Sequence, residues 1–179
     1  MRCGSCFAGS CMRRSTPEKA QTAAFIGLGA NLGPVRASLD AAFVALATLP
    51  ATTLVAASSL YRTAPVDSWG PHYLNAVVLL HTGLTPMQLL RALQGIEARL
   101  GRRRLRRNAP RTIDLDLLVY GRRRIDTPAL TVPHPRLHKR AFVLRPLAEV
   151  APQLSIPGRG PVERLLAGVR SQRIDRLAP

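Results

Sequence analysis

The chain has 179 residues and a mass of 19.5 kDa, enough for a complete hydrophobic core without disulfide staples. Its 46% apolar content excludes a chain disordered throughout, and the uncharged run from Ala41 to Tyr61 is broken by Pro50 and diluted by five hydroxyl residues, which excludes a membrane span there. The net charge of +16, carried by arginine apart from Lys19 and Lys139, calls for an anionic partner, although part of the arginine excess is compositional drift.

Cys3, Cys6 and Cys11 are the only cysteines. Their spacing has no matching second half for a zinc site, because His72, His81, His134 and His138 lie far along the chain. No apolar stretch precedes Arg13 and Arg14 in the manner of a signal peptide. Residues 1–22 are therefore expected to be a disordered leader, residues 23–179 a single domain, and the protein cytoplasmic, with no membrane partner.

Ala24 to Ala30 reads as a buried strand, Asn31 to Gly33 as a turn, and Pro34 as the first residue of a helix whose Val35, Leu39, Ala42, Phe43, Leu46 and Leu49 recur at helical spacing until Pro50. Gly27, Gly29 and Gly33 form G-x-G-x-x-x-G, a poor match to a dinucleotide fingerprint and better read as a tight strand-to-helix turn. Thr53 to Val66 predicts a long strand and Tyr73 to Thr82 another, with Asp67 to His72 as the loop. Thr85, Pro86 and Gln88 mark a capping-box helix start; Leu89, Leu93, Ile96 and Leu100 form its apolar stripe, bordered by Gln94 and Glu97. An arginine-rich loop leads to a strand from Ile113 to Tyr120. This order of strand, helix, strand, strand, helix, strand predicts an α+β, ferredoxin-like antiparallel sheet with flanking helices, a three-layer α/β/α sandwich. A hairpin and helix are expected between about Leu154 and Val169.

Asp114 and Asp116 are the sharpest chemical feature. Two residues apart on a strand, they point to one face and lie ~6.5–7 Å apart along it, so their carboxylates converge and need a cation. Hard oxygen ligands suit Mg²⁺, which takes one or two carboxylates and fills its shell with water and phosphate oxygens. Ile113, Leu115, Leu117 and Val119 are expected to bury the opposite face. Residues 98–113 carry Arg99, Arg102, Arg103, Arg104, Arg106, Arg107 and Arg111 and no acid, and guanidinium forks beside a metal suit a polyphosphate. No P-loop motif is present, so any nucleoside triphosphate is held another way. Tyr73 and Asn75 in YLN, with Phe142 beyond His134, Arg136 and Arg140, could stack on a planar heterocycle and pair with its edge.

Together PRTIDLDLLVYG (Pro110 to Gly121), FIGLGANLG, SSLYRTAPV, YLNAVV and LTVPHPRLHKRAFVLRPLAEVAP give the chain, over about Ala24 to Pro152, a sequence that resembles the 6-hydroxymethyl-7,8-dihydropterin pyrophosphokinase family. The resemblance implies transfer of the β,γ-diphosphate of MgATP to a pterin alcohol, giving AMP, in folate biosynthesis. It implies two Mg²⁺ ions on Asp114 and Asp116, with Arg102 and Arg111 serving catalysis. ATP would meet Gln94, Glu97, Arg104, Arg107, Arg111, Leu117, Thr131, His134 and Arg140. The pterin would meet Thr63, Pro65 and Val66 through the backbone, Asn75 at its edge, and Tyr73 and Phe142 on its faces. Asn108 and Ala109 stand where many members have Trp-Gly. A monomer acting on small molecules is expected. A D-x-D nucleotide-sugar transferase would explain the aspartates but not the YLN or HPRLHKRAF blocks, and a nucleic-acid module is disfavoured by few aromatics and few lysines.

Overall fold

The computed structural model describes residues 21–65, 70–101 and 111–178. The central strand β1 (Thr22–Ala30) is antiparallel to both neighbours, β4 (Tyr73–Thr82) and β5 (Asp114–Tyr120). Strand β4 pairs along its C-terminal half with β2 (Thr52–Ala57) and at its start with β3 (Tyr61–Thr63); β10 (Asp175–Arg176) adds the edge beside β3.

A strand in the middle of a sheet covered on both sides must be apolar on both faces, and TAAFIGLGA satisfies this. Ala24, Ile26, Leu28 and Ala30 pack against α1 (Val35–Ala47) and α2 (Pro86–Arg99). Phe25 turns the other way, into a second core with α3 (Ala141–Val150) and α4 (Val162–Ala167). The result is an α+β fold with helices on both faces of an antiparallel sheet. The α2 capping box forms as its sequence indicates: Thr85 Oγ1 accepts the Gln88 amide at 3.4 Å and Gln88 Oε1 accepts the Thr85 amide at 2.9 Å. Helix α1 starts one residue later than expected, with Pro34 in the cap position. The terminal hairpin, β8 (Ser155–Ile156) with β9 (Gly160–Pro161), precedes α4. No helix among the described residues is long and apolar enough to cross a membrane.

Three features depart from the sequence reading. The strand expected over residues 53–66 is two strands, because at Ser58 the side chain replaces regular pairing: its Oγ accepts the Val77 amide at 3.0 Å and donates to the Ser59 carbonyl at 2.8 Å. Strand β5 skips a residue against β1 between Leu117 and Val119, so Val119 leaves the face of Leu115 and Leu117 and joins Leu118 in the second core. Helix α3 occupies a proline-punctuated segment that no sequence pattern marked, with Pro146 inside it.

Candidate active site

A cleft of about 790 Å³, including its open mouth, lies on the α3 face of the sheet. Its walls come from the C-terminal half of β1, the starts of β4 and β5, the end of β3 and the first turn of α3. Strand parity brings Asp114 and Asp116 to this face, and the skipped residue then turns both Leu118 and Val119 toward it, so one side of β5 changes from carboxylate to core along its length. The aspartates thus stand at the open end of an otherwise sealed surface.

Their surroundings are built mostly from charge. Arg111 makes a hydrogen-bonded ion pair with Asp114. Desolvation at the cleft wall, the neighbouring Asp114 charge and Glu97 raise the Asp116 carboxyl to about 6, against the opposing pull of Arg140 and Arg111. Glu97, only 3% exposed, accepts the Leu115 amide at 2.8 Å and so covers the edge of β5 that pairs with no strand among the described residues. His134 covers the same edge: its amide donates to the Leu118 carbonyl at 2.8 Å. Burial, with help from the Arg140 charge, lowers the His134 imidazole to about 4, and its Nδ1 accepts the Arg136 amide at 3.2 Å. At neutral pH the ring is therefore uncharged, and its Nε2, 4.0 Å from Asp116 Oδ2, forms no ion pair. The Arg140 guanidinium lies 5.4 Å from the centroid of the Phe142 ring, a cation–π contact that holds positive charge at the cleft.

The other end is neutral. Asn75 is 5% exposed, and its Nδ2 donates to Thr63 Oγ1 at 3.0 Å, which orients the amide. Ala64, Ala76, Val77, Leu118 and Val143 supply the apolar lining that a flat ring needs.

The cleft therefore assembles eight of the residues that the sequence singled out: Thr63, Tyr73, Asn75, Arg111, Asp114, Asp116, Arg140 and Phe142. Pro65, Gln94, Glu97, Leu117, Thr131 and His134 do not line it. Gln94 is exposed on α2, Leu117 is buried in the core on the opposite face, and Thr131 belongs to β7 (Thr131–Val132), paired with β6 (Ile125–Asp126), where its Oγ1 donates to Asp126 at 3.4 Å. Val66, Arg102, Arg104 and Arg107 lie outside the described residues. Sequence reasoning missed Asn31, which it treated as a turn residue. Buried at 1% exposure, Asn31 accepts the Arg111 amide at 2.9 Å, donates its own amide to the Arg111 carbonyl at 3.1 Å, and reaches the Pro71 carbonyl through Nδ2 at 3.3 Å. It thereby fixes the backbone of the arginine that pairs with Asp114.

A family model described as 7,8-dihydro-6-hydroxymethylpterin-pyrophosphokinase (HPPK) matches residues 25–152. A Pseudomonas aeruginosa 2-amino-4-hydroxy-6-hydroxymethyldihydropteridine pyrophosphokinase is 44% identical over 154 residues, covering 86% of this chain and 95% of that protein. The protein of the same name from Haemophilus influenzae is 41% identical over 157 residues, covering 87% and 98%. Among solved structures, HPPK-DHPS in complex with substrates superposes with a TM-score of 0.66 at 12% identity, over 83% of this chain and 43% of that one. Plasmodium falciparum HPPK-DHPS with pteroate gives 0.64 at 13% identity, over 82% and 44%. The last two likenesses are of fold, and this chain spans less than half the length of those solved chains.

Proposed function

Because the chain belongs to the 7,8-dihydro-6-hydroxymethylpterin-pyrophosphokinase family, we propose that it transfers the β,γ-diphosphate of MgATP to the hydroxymethyl group of 6-hydroxymethyl-7,8-dihydropterin, leaving AMP. The observation that carries this reading is the two-ended cleft: paired carboxylates with Arg111 and Arg140 at one end, and an oriented amide with apolar lining and aromatic rings at the other. The charged end suits a polyphosphate and the neutral end a flat heterocycle.

Asp114 and Asp116 fit Mg²⁺ by donor type and by charge. Both offer hard oxygens, and the Asp116 carboxyl, raised first by burial and then by the Asp114 charge despite Arg140 and Arg111, is one whose ionised form a bound cation would favour. In this reading the two side chains would hold two ions, which would supply positive charge to offset that of the phosphates. The pterin oxygen attacks the β-phosphorus in line; the new O–P bond forms as the bond to the α-phosphate oxygen breaks, and the hydroxyl proton passes to solvent. Arg111 and Arg140 offset charge on the transferring group. Asn75 reads the edge of the pterin, Thr63 meets it through its backbone while its hydroxyl orients the Asn75 amide, and Tyr73 and Phe142 contact its faces. Leu117 would contribute to the ATP site through its backbone, since its side chain belongs to the core. Gln94, Glu97, Thr131 and His134 would flank the nucleotide, with Glu97 and His134 also shaping the edge of β5. The same reading treats residues 23–179 as one cytoplasmic domain, a ferredoxin-like three-layer sandwich working as a monomer.

Incubation with MgATP and 6-hydroxymethyl-7,8-dihydropterin tests it. AMP and pterin diphosphate should form in equal amounts. Formation of ADP, or of no AMP, would contradict the proposal.

A further inference from the structure

Three rows of residues cross the sheet through β1 on the cleft face. Leu79, Phe25 and Val119 form one; Val77, Gly27 and Asp116 the next; Asn75, Gly29 and Asp114 the outermost. Residues directly opposite across antiparallel strands share a face, so the first row is core and the other two floor the cleft. In both floor rows the middle position carries no side chain. A bare track of backbone thus separates Asn75 from Asp114, two strand spacings or ~10 Å apart.

Backbone conformation does not require glycine at either place, since φ at Gly27 and Gly29 lies outside the left-handed region that Gly33 and Gly101 occupy. Strand interiors disfavour glycine, so the fold alone would favour alanine or a branched residue here. What the positions lack is room. A Cβ on Gly29 would lie 3.3 Å from Asn75 Oδ1, and that amide is tethered to Thr63. A Cβ on Gly27 would lie 3.3 Å from both terminal carbons of Leu118.

We infer that Gly29, with Gly27 beside it, is a specificity-determining position: its missing side chain lets a flat heterocycle held at Asn75 lie against the β1 backbone while its hydroxymethyl arm reaches toward Asp114 and Asp116. This rests on the pyrophosphokinase reading above.

Gly29→Ala tests it by thermal melting, by KM for each substrate, and by direct titration with 6-hydroxymethylpterin. The variant should stay folded, melting no more than a few degrees below the parent because the new Cβ crowds Asn75 Oδ1, and keep its KM for MgATP within about threefold, while pterin affinity falls at least about tenfold. Unchanged pterin affinity would overturn the inference. A variant that fails to fold, or loses melting temperature and both affinities together, would also overturn it, because glycine would then be serving the fold. If the parent chain neither binds nor converts pterin, the pyrophosphokinase reading fails and takes the inference with it; an active parent matched by an equally active Gly29→Ala removes only the role of Gly29.

Discussion

Two carboxylate clusters flank helix α3, and they are built on opposite principles. Near its C-terminal end, Glu149 is saturated by its own chain: Oε1 accepts the Ser59 amide at 3.2 Å, the Ser59 hydroxyl at 2.8 Å and the Arg176 guanidinium at 2.9 Å, and Oε2 accepts the Tyr61 hydroxyl at 2.8 Å. Burial pushes this carboxyl up, but those hydrogen bonds and the Arg176 charge outweigh it and hold it below the usual range. Tyr61 is driven to about 12, by burial and by the same carboxylate. At the other end, where α3 begins, Asp116 is pushed to about 6 by burial first and by the neighbouring Asp114 charge, which Arg140 and Arg111 only partly offset. A carboxylate satisfied by the protein fastens the fold, here joining α3, β3 and β10. One held above its ordinary range by burial is, in the proposed function, where a cation would bind.

Substitutions should separate the two clusters. The largest effect belongs to Asp116→Ala, which should lower AMP formation by at least ~10³-fold while the folded chain persists by circular dichroism. Retained turnover would dissolve the contrast. At the neutral end of the cleft, Asn75→Ala should weaken pterin binding by ~10–100-fold and MgATP binding by less than about threefold in calorimetry, showing that the ends are chemically independent.

Glu149→Ala should instead destabilise the fold by about 2 kcal/mol in urea titration, with activity per folded molecule preserved. Because the folded pKa of Glu149 is depressed, its contribution is present above the ordinary carboxylate range and is lost as pH falls through the folded value, so the deficit should shrink in acid. The smallest effect has the opposite sign. The folded pKa of Asp116 is raised, so its ionisation weakens the metal-free fold as pH rises through about 6. Asp116→Asn should then raise the melting temperature in EDTA by ~1–3 °C near pH 7.5, with no gain below pH 4. A lower melting temperature at neutral pH would place Asp116 with Glu149 as a structural acid.

Local patterns carried much of this into the sequence. Strand β4 is legible at both ends, the α2 cap is a three-residue signature, and the shared face of Asp114 and Asp116 follows from a period of two. What could not be read depends on distant partners. The skipped residue at Leu118 exists only against β1, and the break at Ser58 only against Val77. Asn31 meets Arg111 across 80 positions and Ser59 meets Glu149 across 90. Helix α3 was hidden because prolines at 133, 135 and 146 suggest interruption, although Pro146 is accommodated within the helix.

The proposed function rests on Asp114 and Asp116 recruiting divalent ions that hold a polyphosphate. Calorimetric affinity for a nonhydrolysable ATP analogue, compared in Mg²⁺ and in excess EDTA, tests this most directly. Removing the metal should weaken binding by ~100-fold or more in the parent chain and by less than about threefold in Asp116→Ala. Equal affinity in both buffers for the parent chain would contradict it.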